Sequence, residues 1–172
     1  MKRNYFLAAV ASLCTLLTAC TSHIETKPAD TTTRAESNVI TFAVNGETVN
    51  TTGWNISRFD AGAGLNLNIT TNMHQDKRTV MLNLRGCIPG TYSLTDDASG
   101  ELSGYGSYKP DYSDLINAYK FVKGTFTITG IDTAKGILNA AFSGTVRKGS
   151  ESFQITGGRI INGTLNKMVQ RY

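Results

Sequence analysis

The sequence predicts an all-β domain, an antiparallel β-sandwich of about eight to ten strands, with a partly closed β-barrel as the alternative. Three observations support this class. Apolar and polar residues alternate with a period of two over most of the chain from Asn38 onward. Clusters of Gly, Asn and Asp interrupt the alternation at short intervals. No segment has the length and the helical period of a substantial helix.

The predicted strands begin with a hairpin. The runs VITFAV and ETVNT flank Asn45-Gly46, a pair of residues that tolerates the positive φ of a two-residue turn. Each later strand has one apolar face, formed in order by Leu65, Leu67 and Ile69, by Val80, Leu82 and Leu84, by Phe126 and Ile128, by Leu138, Ala140, Phe142 and Val146, and by Phe153 and Ile155. Turns are predicted between them, at 60–62, 72–77, 89–90, 96–100, 132–136 and 148–150. Residues 38–172 are long enough for one domain with its own core.

The N-terminal segment has the pattern of an export signal. Lys2 and Arg3 precede an apolar stretch from Phe6 to Leu17. As a helix this stretch would be roughly 18 Å long, against roughly 30 Å of bilayer hydrocarbon, so it is too short to span. A basic start followed by a short apolar run is typical of a signal peptide, which we place at residues 1–19.

The residues that end the apolar run indicate how the protein is anchored. Leu17-Thr18-Ala19-Cys20 resembles the lipobox of bacterial lipoproteins. The resemblance implies cleavage between Ala19 and Cys20, diacylation of the Cys20 thiol, and often acylation of the new amine. Two or three acyl chains hold a protein stably on a membrane. The alternative is an ordinary secretory signal with an incidental cysteine.

Residues 20–37 are predicted to be the lipidated cysteine followed by a flexible tether. Thr, Ser, Pro and mixed charges dominate this segment, and its only large apolar residue is Ile24. Such a composition buries too little surface to offset the entropy lost on ordering.

Removal of the signal also changes the charge. Without Lys2 and Arg3 the 17 basic residues fall to 15, against 13 acidic ones, and the formal charge falls from +4 to +2. With no cluster of Lys and Arg remaining, nucleic acid is not an expected partner.

The cysteine and histidine content argues against several catalytic classes. Cys14 leaves with the signal and Cys20 carries lipid, so Cys87 has no partner for a disulfide and is interpreted as a packed thiol. Neither HExxH, nor a CxxC ligand set, nor a G-x-S-x-G elbow occurs. His74 lies in a predicted turn. We therefore expect no enzyme, no catalytic residue, no metal site and no cofactor.

One region has a distinctive composition. Tyrosines alternate with Gly, Ser and Asp between residues 92 and 119. Tyrosine suits sugar stacking and protein interfaces because its ring is flat and apolar with a polar tip. The candidate partner-binding residues are Tyr105, Tyr108, Asp111 and Tyr112. Since Tyr105 and Tyr108 are three apart, they should point to opposite sides of a strand, which places one of them in the core.

The order of several short motifs resembles a known family. ITFAVNGETV, GTYSLT, GYGSY, GTFTITGID, AAFSGTV and ITGGRI are similar to elements of a domain-of-unknown-function family of Bacteroidota-type envelope lipoproteins. The resemblance implies a lipobox, a short linker and a compact all-β domain at the outer membrane, on its periplasmic or its surface side. It implies no activity.

The sequence therefore favours a non-enzymatic outer-membrane lipoprotein that binds a glycan or an envelope protein. The alternative is a periplasmic hydrolase, or an inhibitor of one, that uses the acidic, tyrosine-rich loop. Its carboxylates are Asp96, Asp97, Glu101, Asp111 and Asp114, and a glycosidase needs two carboxylates roughly 5–10 Å apart. A calcium site formed by the same oxygens and a purely structural envelope component are further possibilities. Thr31 and Thr133 follow aspartates in patterns that resemble bacterial O-glycosylation acceptors.

Overall fold

Eleven strands form one curled, mixed sheet in the shape of a half-barrel. The computed structural model describes residues 38–51, 53–60 and 64–167, so the predicted signal peptide, Cys20 and the tether lie outside the described residues. The strands are β1 (Val39–Val44), β2 (Glu47–Asn50), β3 (Asn55–Asp60), β4 (Leu65–Thr70), β5 (Thr79–Leu84), β6 (Gly90–Leu94), β7 (Ser103–Lys109), β8 (Tyr119–Asp132), β9 (Ile137–Lys148), β10 (Glu151–Thr164) and β11 (Asn166–Lys167). Among these residues no helix is long and apolar enough to cross a membrane.

The predicted all-β class is confirmed. The strand order β11-β3-β4-β5-β7-β6-β8-β9-β10-β1-β2 is that of a single sheet. This architecture matches the partly closed barrel, the alternative that the alternation allowed, and not two stacked sheets. Most pairings are antiparallel, but β6–β7 and β11–β3 are parallel. The hairpin at Asn45-Gly46 is present, with φ angles of 49° and 88°.

Long, bulged strands explain why the sheet curls. The three longest strands, β8, β9 and β10, have 14, 12 and 14 residues. The pairing of β9 with β10 shifts register at two places, and at each a residue of β10 has positive φ, Gly157 at 59° and Asn162 at 50°. Bulges of this kind bend a strand and increase its twist. A period-two pattern contains no signal for such bulges, so the choice between sandwich and barrel required the structure.

The core lies on the concave face of the sheet. The alternating apolar residues of every strand from β1 to β10 point inward, and the largest fully buried side chains include Tyr92, Phe42, Phe121 and Phe126. Leu165, between β10 and β11, is also buried there. The compact unit Thr33–Tyr172 contains every residue of this core. It therefore holds the packing that a domain needs to fold on its own.

Two glycines allow β7 to lie close against its neighbours. Gly104 and Gly106 pair with Leu84 and Leu82 of β5. A Cβ on Gly106 would collide with the backbone carbonyl oxygen of Met81 and lie 2.6 Å from Leu82 Cδ2. These positions therefore exclude any side chain, and they set the distance between β5 and β7.

The strand register assigns every connection to one of two ends of the half-barrel. Lys109 of β7 pairs with Thr79, and Gly104 pairs with Leu84. The β7–β8 connection therefore lies at the end opposite to the β5–β6 and β6–β7 connections. Asn38, where the described chain begins, accepts a hydrogen bond from the Thr164 N–H, so the chain enters at the end opposite to the β7–β8 connection.

Candidate binding surface

The predicted binding residues fall on β7 and on the β7–β8 connection. Tyr105 is 52% exposed on the outer face, opposite Asn83 of β5. Tyr108 is only 2% exposed, and its ring centroid lies 6.2 Å from that of Tyr119 and 5.5 Å from that of Phe153. The prediction that the two tyrosines occupy opposite faces is confirmed. Tyr108 has no exposed ring to offer a partner, which corrects its assignment to the binding surface.

Residues 110–118 form the connection from β7 to β8, which we call the tip loop. Asp111 organises its first half. The Oδ1 atom of Asp111 accepts hydrogen bonds from the Asp76 N–H at 3.0 Å, the Ser113 N–H at 2.9 Å and the Ser113 hydroxyl at 2.8 Å. The Tyr112 N–H donates to the carbonyl oxygen of Lys77 at 3.0 Å. Asp111 and half-buried Tyr112 thus tie the tip loop to the β4–β5 connection.

Asp114 organises the second half of the tip loop in the same way. Its Oδ1 atom accepts hydrogen bonds from the Ile116 N–H at 2.8 Å and the Asn117 N–H at 3.1 Å. The Lys148 ammonium donates to Asn117 Oδ1 at 2.6 Å, which joins the loop to the end of β9. Aspartate bonding to backbone N–H groups two or three residues later is ordinary turn chemistry. The result is a loop held from both sides.

This loop presents two large aliphatic side chains to solvent. Leu115 is 84% exposed and Ile116 is 81% exposed, the highest values among the large hydrophobic residues that the structure describes. Single exposed aliphatics are common, but two adjacent ones on a hydrogen-bonded loop form a compact apolar projection. Sequence reasoning considered this segment for its tyrosines and carboxylates and missed Leu115 and Ile116. The available signal was an apolar pair inside the turn-forming run DYSDLINAY.

The hydrogen bonds of the tip loop should lower the carboxyl pKa values of Asp111 and Asp114, which can be tested by titration. Bonds from Ser113, first from its hydroxyl and then from its N–H, lower the pKa of Asp111, and those from Asn117 and Ile116 lower the pKa of Asp114. A lowered folded-state pKa means that this stabilisation is fully present above the ordinary aspartate pKa and is lost as the pH falls through the lowered value. Carboxyl NMR titrations should therefore give midpoints below the ordinary aspartate pKa for both residues, with the Ser113 and Ile116 amide signals moving in step. Midpoints at or above that value would contradict the loop geometry.

The opposite end of the half-barrel carries an open cavity of about 930 Å³, which we call the end cavity. It is formed by the start of β4 and by the β5–β6 and β6–β7 connections. Two exposed aliphatic side chains, Leu65 at 47% and Ile88 at 59%, line it together with Leu102. The buried Tyr92 hydroxyl donates to the Ile88 carbonyl at 3.0 Å and accepts from the Ile88 N–H at 3.1 Å. Ile88 is therefore held in place at the rim.

Cys87 also lines the end cavity. It is 7% exposed, and burial raises the pKa of its thiol, an effect that nearby Arg58 partly offsets. The thiol is therefore neutral at physiological pH and is poorly suited to act as a nucleophile. This agrees with the interpretation of Cys87 as a packed residue.

The five carboxylates of the tyrosine-rich region lie at both ends of the half-barrel. Asp96, Asp97 and Glu101 belong to the β6–β7 connection beside the end cavity, whereas Asp111 and Asp114 belong to the tip loop. Both tip-loop aspartates accept backbone hydrogen bonds. Within 38–51, 53–60 and 64–167, no three His, Cys, Asp or Glu side chains are arranged to hold a metal ion. His74 and Thr133 lie in exposed connections of the described chain.

No protein-family model matches the chain, and no curated protein or solved structure shows a significant match to it. The features that can indicate a function are therefore the two ends of the half-barrel and the outer face between them.

The outer face carries a polar row beside Tyr105. Asn68 and Asn83 lie opposite each other on β4 and β5, and the Asn68 side-chain amide donates to Asn83 Oδ1 at 2.7 Å. Tyr105 follows on β7, directly opposite Asn83. A half-exposed ring next to two amides is an arrangement that suits a sugar ring with its hydroxyl groups.

Proposed function

We propose that this chain is an envelope lipoprotein, anchored to the outer membrane through acylated Cys20, whose β-domain binds another envelope protein through the tip loop. The anchor rests on the lipobox-like residues 17–20 and on the resemblance to envelope lipoproteins. The binding role rests on one structural observation, the adjacent exposed side chains of Leu115 and Ile116. The domain acts as a binding module and not as an enzyme.

The chemistry of the tip loop favours a protein partner over a glycan. Burial of aliphatic side chains is favourable by roughly 25 cal/mol per Å² removed from water, and protein surfaces offer matching apolar pockets. Glycan sites typically use aromatic rings, and the two tyrosine candidates nearest to Leu115 and Ile116 in sequence contribute little, since Tyr108 on β7 is buried and Tyr112 in the tip loop is half-buried. The loop is also preorganised by Asp111 and Asp114, which reduces the entropy lost on binding.

The chain entry point fits this role. Asn38 lies at the end of the half-barrel opposite to the tip loop. A tether that joins the domain at Asn38 would leave the tip loop at the end of the domain opposite to the point of attachment. Leu115 and Ile116 would then be clear of the attachment point and accessible to a partner.

A variant pair tests the tip loop. Leu115→Asp combined with Ile116→Asp should reduce capture of the partner from an envelope extract at least tenfold, because two charges replace the apolar contact. The control combines Ala134→Asp with Ala141→Asp, which adds the same charge at other exposed positions. Thermal unfolding should be similar for all three proteins. Equal capture by the tip variant and the control would contradict the proposal.

A second candidate function is glycan binding at Tyr105. The row of Asn68, Asn83 and Tyr105 is the observation that favours it. A glycan array should show binding that Tyr105→Ala abolishes and that the Leu115→Asp, Ile116→Asp variant retains. An array that shows no binding would rule out glycan binding at Tyr105 and would not affect the proposed binding of a protein by the tip loop.

A further inference from the structure

We infer that the outer face of β7, β8 and β9 binds a glycan that carries negative charges, at a patch of exposed cations beside Tyr105. The cations are Lys120, Lys123 and Arg147, which we call the outer basic patch. This inference goes beyond protein binding by the tip loop, and it adds a ligand class to the glycan candidate at Tyr105. Since the patch lies on the outer face and not in the tip loop, either binding role can hold without the other.

The strand register brings these cations together from separate parts of the sequence. Lys120 of β8 lies directly opposite Arg147 of β9, and Lys123 lies opposite Thr145. Side chains directly opposite each other have Cβ atoms about 5 Å apart, and diagonal neighbours are about 7–8 Å apart. Arg147 is therefore a direct neighbour of Lys120 and a diagonal neighbour of Lys123. One anionic group can meet more than one of these cations.

A β-bulge turns Lys123 onto this face. On a regular strand, residues three apart point to opposite faces, so Lys123 would face the core if Lys120 faces out. The pairing of β8 with β9 shifts register between Phe121 and Lys123, and Lys123 is exposed opposite Thr145. Bulges are a common means of re-aiming a side chain. The bulge thus adds a third cation to the two that already face each other.

The outer face around the patch has little negative charge. At the outward positions of β7 to β10, Asp132 is the only acidic residue of the described chain, and it lies at the far end of β8 with Lys135 at 3.6 Å. No cation of the outer basic patch forms an ion pair with a described residue. Arg159 of β10 adds an exposed cation to this face, and Lys109 of β7 adds one that is 9% exposed.

Four carboxylates lie at the tip-loop end of the half-barrel, and each has other contacts: Glu47, Asp111, Asp114 and Glu151. Glu47 pairs with Arg78 at 2.7 Å. Glu151 accepts a hydrogen bond at 2.6 Å from the hydroxyl of buried Tyr119, which places its side chain on the core side of the sheet. Asp111 and Asp114 accept hydrogen bonds from N–H groups of the connections. These carboxylates lower the net charge of that end, but none stands on the outer face of β8 or β9.

The arrangement of the patch favours an anionic ligand. Like charges directly opposite each other on neighbouring strands are destabilising, and Lys120 and Arg147 are such a pair. A chain of negative charges laid across β8 and β9 would pair with both cations and relieve their repulsion. Binding should therefore weaken as salt screens the attraction.

The side chains beside the patch favour a sugar as the carrier of the charge. Ser107 of β7 lies opposite Lys120, so Tyr105, two residues earlier, is a diagonal neighbour of Lys120. Tyr105 is 52% exposed, and Asn83 lies directly opposite it on β5. An exposed ring with an amide and a hydroxyl beside it suits a sugar ring and its hydroxyl groups.

An acidic protein and a nucleic acid fit this face less well. Among the described residues, Tyr105 is the only large hydrophobic side chain exposed on the outer face of β7 to β10, whereas the centre of a protein interface is usually apolar. Nucleic-acid sites combine a longer track of cations with a series of stacking rings, and this face has a single exposed ring. The observations therefore favour an acidic glycan.

Affinity electrophoresis of the unit Thr33–Tyr172 tests this inference. The gels contain polygalacturonate, which carries carboxylates, or heparin, which also carries sulfates, or neutral dextran. At least one of the two anionic polymers should retard the unit, dextran should not, and added salt should weaken the effect. Lys120→Ser with Arg147→Ser should raise the Kd about tenfold or more. Tyr105→Ala should also raise it, which a purely electrostatic contact would not require.

The matched control is Lys135→Ser with Lys167→Ser, which removes the same charge from exposed positions outside the patch. This control should bind like the unmodified unit. The patch variant should unfold at no lower temperature than the unmodified unit, because it removes a repulsion. It should also capture the protein partner of the tip loop as the unmodified unit does.

The possible outcomes separate this inference from the proposed function. Equal binding by the patch variant and its control overturns the inference, and so does the absence of retardation by both anionic polymers. Tighter binding to a DNA duplex or to phosphatidylglycerol vesicles than to either polymer overturns it in favour of that ligand. If both polymers fail while Leu115→Asp with Ile116→Asp still loses an envelope protein, the proposed function stands and only this inference falls.

Discussion

Cells that produce the Cys20→Ser chain should incorporate no radiolabelled palmitate into the protein, because the Cys20 thiol is the group that we propose accepts the acyl chains. The chain should also keep residues 1–19, since the lipobox peptidase acts after acylation in the family that the sequence resembles. Loss of two or three acyl chains is a large effect, as each buried methylene contributes about 0.8 kcal/mol to membrane affinity. Labelling with palmitate and the mobility of the chain on a gel measure both results.

The matched control for this experiment is Cys87→Ala. Cys87 is buried at the end cavity and is not the proposed lipidation site, so this variant should be labelled and processed like the unmodified protein. Label that persists in Cys20→Ser and disappears in Cys87→Ala would refute the anchor assignment.

Gly106→Ala should destabilise the domain by about 3 kcal/mol, at the upper end of the cost of overpacking a core. The new methyl group would meet the Met81 carbonyl oxygen and the Leu82 side chain, and a backbone atom in the middle of a sheet cannot move aside cheaply. Such a loss is a large part of the total stability of a typical domain. Urea unfolding followed by tryptophan fluorescence of Trp54, the only tryptophan, measures the change.

Gly100→Ala is the control for crowding at Gly106. An added Cβ at Gly100 meets no atom within 4 Å, and this glycine does not have positive φ. Its unfolding midpoint should stay close to that of the unmodified protein. Equal midpoints for Gly106→Ala and the unmodified protein would show that β5 and β7 lie farther apart than the structure has them.

Alternation and turn chemistry account for the part of the fold that the sequence predicted. Residues such as Leu82, Phe126 and Ile155 occupy the inner face because side chains alternate strictly along a strand. Asn45-Gly46 forms its hairpin because both residues accept positive φ locally. The alternation of side chains also places Tyr105 and Tyr108 on opposite faces of β7. These are short-range properties, so one sequence suffices to recognise them.

The closure of the sheet and the binding surfaces depend on contacts that are distant in sequence. The parallel pairing of β11 with β3 brings Asn166 opposite Ser57, and no local pattern encodes it. The conformation of the tip loop depends on the β4–β5 connection, through the Asp76 N–H that bonds Asp111. The end cavity depends on the Tyr92 hydroxyl that holds Ile88. The role of an apolar pair in a loop can be inferred only when these contacts between distant parts of the sequence are known.

Site-specific photo-crosslinking in living cells tests directly whether the tip loop contacts a protein partner. A photoreactive side chain replaces Ile116 in one strain and Ala141, on the outer face of β9, in another. We expect a discrete crosslinked protein band from position 116 after irradiation, and none from position 141. Equal bands from both positions, or a band from position 141 alone, would contradict it.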